Sequence, residues 1–202
     1  SSASACVLLS RAHVVWDTDI EAGVQLARAA RNIARECGDL ETAAEANVTI
    51  GSLELQRDIA LGRSVLVDTA AECRAAGLRQ QTARALNNLG AFGAARRDHA
   101  LANEFLPAAL EYCMEHNLDL WRINVLALLA RSDLDQGRWA EAADAATELL
   151  RDPRESPWPH FEALLVLALV RGRRGDPGTR EALREAAAVG VSPEEAGAAF
   201  DL

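Results

Sequence analysis

One spacing constrains this chain more than any other feature. A small residue set within an apolar, helix-periodic stretch returns every 39 or 40 positions: Ala12 to Gly51 is 39 residues, Gly51 to Gly90 is 39, and Gly90 to Ala130 is 40. The next step lands near Ala168, inside FEALLVLALVRG. A fixed period decides architecture before any single element does, because each copy is one module that cannot bury its apolar face alone. The stretches are AEANVTIGSLEL (44–55), ARALNNLGAFGA (83–94) and INVLALLARSDL (123–134). Glycine in a helix interior costs about 1 kcal/mol relative to alanine, so Gly51 and Gly90 are expected at crossings where a second helix comes close.

That second helix is legible in each repeat. Apolar or alanine positions recur at i, i+3, i+4 and i+7 over roughly 20–37, 58–76, 98–116, 139–151 and 179–189, as in LARAARNIARECG and WAEAADAATELL. Gly38, Gly77 and Asn117 stand where a left-handed residue closes a last turn, and Asp39, Asp98 and Asp119 where a carboxylate helps to start the next helix. About a fifth of the chain is alanine and only 4% is aromatic, which favours close helix packing over sheet. The expected fold class is all-α, an α-α superhelix of about five antiparallel helix pairs forming one domain over 1–202. Its repeats run approximately over 1–38, 39–77, 78–117, 118–156 and 157–190, and a partial capping helix over 191–202 starts at Ser192 and Pro193. Pro107 falls inside a helix and predicts a kink. RDPRESPWPH (151–160), with three prolines, predicts a loop.

The stretch QGRWAEAADAATELL (136–150), preceded by LALLA (126–130), resembles a tetratricopeptide repeat. Ala130 stands at the close-packing site, Gly137 at the turn, Trp139 at the bulky turn position and Ala142 on the second helix; the repeat before it matches with Leu89, Gly90, Ala102, Leu106 and Ala109. The longer period, with TARALNNLG and the later RGRRGDPG, is similar to the helical-repeat region of large LuxR-type bacterial transcriptional regulators, over about residues 5–180. In that family an ATPase module precedes the repeats and a helix-turn-helix domain follows them. The resemblance implies a non-catalytic scaffold or sensor segment that binds a protein partner, neighbouring domains of the parent chain or a small-molecule inducer. The alternative is a free-standing tetratricopeptide adaptor that mediates protein–protein interaction.

Charge and chemistry narrow the function classes. With 30 acidic and 21 basic side chains the formal charge is −9, a field that repels nucleic acid and anionic membrane. Lysine is absent and arginine supplies every fixed positive charge, a pattern of GC-rich bacterial coding. Cys6, Cys37, Cys73 and Cys113 form no CxxC pair and are expected as free, mostly buried thiols. The apolar run near the start is interrupted by Ser10, Arg11 and His13 and reads as neither signal peptide nor membrane span, so a cytoplasmic protein is expected. His13, His99, His116 and His160 lack metal-ligand spacing, no phosphate loop or nucleophile elbow occurs, and Trp16, Trp121, Trp139 and Trp158 are expected to plug joints between helices. No catalytic residue, metal or cofactor is expected.

In tetratricopeptide arrays the first helix of each pair lines a concave groove. The resemblance carries this onto Glu45, Val48, Ser52 and Gln56, then Arg84, Asn87 and Ala91, then Asn124, Ala127, Arg131 and Asp135. Arg84, Asn87, Asn124 and Arg131 form a donor-rich strip suited to a carboxylate, peptide carbonyls or a small anion. As surface residues, Arg84 and Arg131 are expected to change stability by no more than about 1 kcal/mol when cut to alanine. The clamp by which co-chaperone repeats hold a peptide carboxy terminus uses lysine, and its positions here carry Val48, Ser52, Asn87 and Ala91, which disfavours that ligand.

Overall fold

The structure, a computed structural model, describes residues 1–16, 18–152, 154 and 156–189. Its helices are α1 (Ser2–Val14), α2 (Ile20–Glu36), α3 (Leu40–Arg57), α4 (Ile59–Ala75), α5 (Arg79–Arg96), α6 (His99–Glu115), α7 (Asp119–Asp135), α8 (Trp139–Leu150), α9 (Pro157–Arg174) and α10 (Thr179–Ala188). No strand occurs among the described residues. The all-α helical repeat expected from the period is thus observed, and α2, α4, α6, α8 and α10 match the expected second helices to within one residue at either end. The chain divides into two compact units at Leu89 and Gly90, inside α5. In the first, α1 packs on α2, α2 on α3 and α3 on α4, and α1 also touches α3; in the second, α6 packs on α7, α7 on α8, α8 on α9 and α9 on α10, and α7 also touches α9.

Local chemistry sets the helix ends. Asp19, Asp39, Asp58 and Asp98 each accept a hydrogen bond from the backbone N–H three residues on, satisfying one of the donors a helix start leaves open. Asp119 instead occupies the first turn of α7, behind the uncapped Leu118, where its charge still favours the helix dipole. Several of the stops share one geometry. Gly38, Gly77, Asn117, Gly137 and Gly175 all take positive φ, and the next residue's N–H reaches back across the last turn, as Asp39 does to Ala34 and Leu78 to Cys73, both at 2.9 Å. Arg97 ends α5 in the same way at φ 56°, a position the sequence gives no reason to expect for a long side chain.

The small residues stand at crossings. A Cβ on Gly51 would lie 2.6 Å from Cγ of Leu66 on α4, and one on Gly90 would lie 2.4 Å from Cδ2 of Leu106 on α6. The closest approaches to backbone atoms are one turn further along each hairpin. A Cβ on Gly62 would fall 2.3 Å from the backbone nitrogen of Leu55, and one on Gly93 2.6 Å from that of Ala102. In the core Leu53, Leu55, Leu66, Leu89, Leu106, Leu126, Leu128 and Leu134 are all but fully buried, each contributing roughly 1.5–3 kcal/mol by removal from water.

Several expectations need correction. The loop over 151–160 ends early: α9 begins at Pro157, because a proline at the first helical position gives up an N–H that has no partner there anyway. Pro107 lies inside α6, which runs from His99 to Glu115. Cys73 and Cys113 are buried, and burial pushes both thiols up to about 11; Cys6 and Cys37 are exposed, Cys37 because it sits at the end of α2. Trp16 is buried against Val24 and Leu53 at the α1–α2 joint and Trp158 is buried in α9, whereas Trp121 and Trp139 are half-buried. The capping helix expected over 191–202 lies outside the described residues.

Candidate functional site

The first helices of the pairs carry polar side chains that meet across helices. In the first unit the group is built by α1, α3 and α5. His13 Nε2 lies 3.3 Å from Thr49 Oγ1 and 3.4 Å from a terminal nitrogen of Arg84, and the Arg84 guanidinium pairs with Glu45. Arginine can only donate, so His13 Nε2 is the acceptor and the imidazole is neutral at that nitrogen. Burial holds the His13 pKa below the ordinary histidine value of 6.5, Arg84 pushes it the same way, and Glu45 opposes them. Alongside, Asn88 donates to Ser52 Oγ at 2.9 Å, Ser52 donates to the Val48 carbonyl, and Asn87 donates to Asn88.

The second unit has its counterpart on α7 and α9. Arg131 donates to Glu162 at 3.0 Å and lies 3.5 Å from Asp135 on its own helix. Glu162 is 3% exposed; burial raises its pKa, the Arg131 charge opposes that rise and Asp135 adds to it. A second network locks the turn before α8: Arg138 binds Asp133 and Asn103, and Asn103 exchanges hydrogen bonds with Gln136.

The residues placed on the expected groove therefore have mixed fates. Val48, Ser52, Arg84, Asn87, Ala91 and Ala127 are buried, and Glu45, Gln56, Asn124, Arg131 and Asp135 are half-buried. Arg84 and Arg131 are not the solvated surface groups assumed from sequence. Each guanidinium is paired with a carboxylate; Arg84 lies on α5, which is buried continuously from Thr82 to Ala91, where a charge must be paired, and Arg131 reaches the buried Glu162. The structure brings Glu45 and Arg84 together in one unit and Arg131 and Asp135 together in the other.

His13, Thr49, Asn88 and Glu162 are not among the residues the sequence places on the groove, although a signal for two of them exists. Glu45, Arg84 and Asn124 each stand six residues before the small residue of their repeat, and Glu162 stands six before Ala168. Ser52, Ala91 and Arg131 each follow that residue by one, as His13 follows Ala12. Carrying the register into the outer repeats picks out both.

Among the described residues no group of three or more His, Cys, Asp or Glu side chains is placed to hold a metal ion, and no helix is long and apolar enough to cross a membrane. No family model matches the chain, and no curated protein or solved structure matches it. The likeness to tetratricopeptide repeats and to LuxR-type regulators rests on the sequence motifs alone.

Proposed function

We propose that this chain is a non-catalytic binding scaffold or sensor segment of a bacterial transcriptional regulator, acting in the cytoplasm and engaging a protein partner, neighbouring domains of its parent chain or a small inducer. The observation that carries the reading is the way successive pairs are joined. His13, Glu45 and Arg84 link α1, α3 and α5, and Arg131 and Glu162 link α7 and α9, through charged or hydrogen-bonded contacts that sit on apolar packing. Such contacts have few good geometries, so a ligand that favours one of them biases the packing angle between pairs, which is how a binding event reaches elements beyond its own contacts. The paired, buried state of these groups supports a positioning role over acid–base chemistry. The charge of −9 supports protein or small-molecule partners over nucleic acid for this segment. The regulatory context comes from the resemblance.

Two measurements test it. Reading the parent gene on both sides of this segment should reveal an ATPase module before it and a helix-turn-helix domain after it. Small-angle scattering of that full-length protein should then change when its inducer or partner is added. Flanks with neither module remove the regulator assignment, and scattering that no effector of the parent protein alters removes the sensor role.

A further inference from the structure

A cleft of about 140 Å³ opens in the first unit between the end of α2, the start of α3 and the last turns of α4. Its floor is apolar, formed by the buried Ala43, Ala44 and Cys73, with Leu40 and Leu78 at its edge. Burial, with Glu72 and Glu45 nearby, raises the Cys73 thiol to about 11, so the floor carries no charge at neutral pH. An apolar cavity of roughly this size accommodates one benzene ring.

The rim gives the cleft its polarity. Arg35, in the last turn of α2, lines it and is exposed. Its guanidinium has no ion-pair or hydrogen-bond partner among the described residues, whereas Arg28, two turns back, is paired with Glu54. Arg31 lies between them, its pKa lowered by burial first and then by the positive charges of Arg35 and Arg28. The arginines at this end of α2 repel one another, and an anion placed on Arg35 relieves that repulsion. Glu72 also lines the cleft and opposes a second negative group.

We propose that this cleft binds a small monocarboxylic acid, with an aromatic or short alkyl body on the apolar floor and its single carboxylate on Arg35. A dianion is rejected by Glu72, and a neutral ligand of the same shape leaves Arg35 unused. The site names the ligand class for the inducer in the function proposed above and rests on that reading for its biological role, while its chemistry is testable alone.

The test uses benzoate as the probe and benzyl alcohol as its neutral counterpart, titrated into the isotopically labelled whole chain while backbone amide shifts are followed. Benzoate should give saturable shifts at Ala44, Thr69 and Cys73 and bind about tenfold more tightly than benzyl alcohol, the worth of one charge-assisted hydrogen bond. Arg35→Gln, an exposed substitution that leaves the fold intact, should bring benzoate down to the alcohol's affinity and leave the alcohol unchanged. Ala76→Trp, at the rim, should weaken both. In a Cys6→Ser, Cys37→Ser background, benzoate should slow thiol modification of Cys73. Absence of saturable shifts at the cleft, equal affinities for the two probes, or equal benzoate affinity in Arg35→Gln and the parent overturns the proposal. Any of these outcomes leaves the scattering test of partner binding standing.

Discussion

At the scale of single residues the energetics turn on which charges are covered. Burial raises the pKa of Glu162 in the second unit and the Arg131 charge opposes that rise, and removing one partner of a buried pair strands the other. Arg131→Ala should therefore destabilise the chain towards the low end of the roughly 3–5 kcal/mol expected for such a loss, since about a third of the Arg131 side chain meets water. Glu162→Gln removes the desolvated charge itself and should stay within about 1 kcal/mol, and the double variant should regain most of the loss. Urea denaturation of the three variants decides it: an Arg131→Ala chain as stable as the parent means that water already solvates Glu162. His13 supplies a pH dependence in the first unit. Its folded-state pKa lies below 6.5, so as pH falls through 6.5 the unfolded chain takes up the proton first. Stability is full above that value, declines as pH drops towards the folded pKa and levels off below it. Glu45 from α3 and Arg84 from α5 are the charges that face the ring, and Arg84 disfavours the imidazolium. The denaturation midpoint should drop between pH 7 and 5.5, and His13→Gln should flatten that part of the profile. An identical slope in the variant places the titration elsewhere.

At the scale of elements, the hairpins are built around backbone approach. Gly62→Ala sets a methyl 2.3 Å from the Leu55 nitrogen and 2.8 Å from the Gly51 carbonyl, neither of which moves without separating α3 from α4. Gly51→Ala meets the Leu66 side chain, which can rotate. Both gain from alanine's helix propensity, so Gly51→Ala should be the milder, while Gly62→Ala should cost about 1–3 kcal/mol or slightly more. Melting temperatures of the two variants give the order, and Gly62→Ala melting at or above the parent would mean that the helices part freely. The sequence predicts Gly51 and Gly90 at crossings but not Gly62 and Gly93, because the period marks positions within one helix and says nothing about which turn of the next lies closest. Stops and starts were readable for the opposite reason: the Asp39 and Asp98 caps and the left-handed Gly38 and Gly77 depend on bonds spanning three to five residues. The Arg84–Glu45 and Arg131–Glu162 pairs span 39 and 31 residues and depend on how each helix is rotated against its neighbour. A helical pattern places Arg84 on a face; only the packing shows that this face is covered.

At the scale of the whole chain, burial is unevenly spread among the helices. In α3 every residue from Val48 to Leu55 is buried, whereas α1 buries only Ala5, Leu9 and Ala12. In the second unit α7 buries nine residues and α10 only Ala182 and Ala186. Repeat arrays open piecewise, because each helix is held by its immediate neighbours and local opening requires breaking only those contacts. Amide exchange should therefore be slowest in α3 within the first unit and in α7 within the second, and faster by orders of magnitude in α1 and α10. Adding low urea should separate the classes further, since the fast amides exchange through small openings that expose little surface and the slow ones through large openings that expose much. Uniform protection from α1 to α4, with one shared urea dependence, would mean that the first unit opens all at once. The polar links of His13, Glu45 and Arg84 would then act as a single cooperative lock and could not shift one pair against the next.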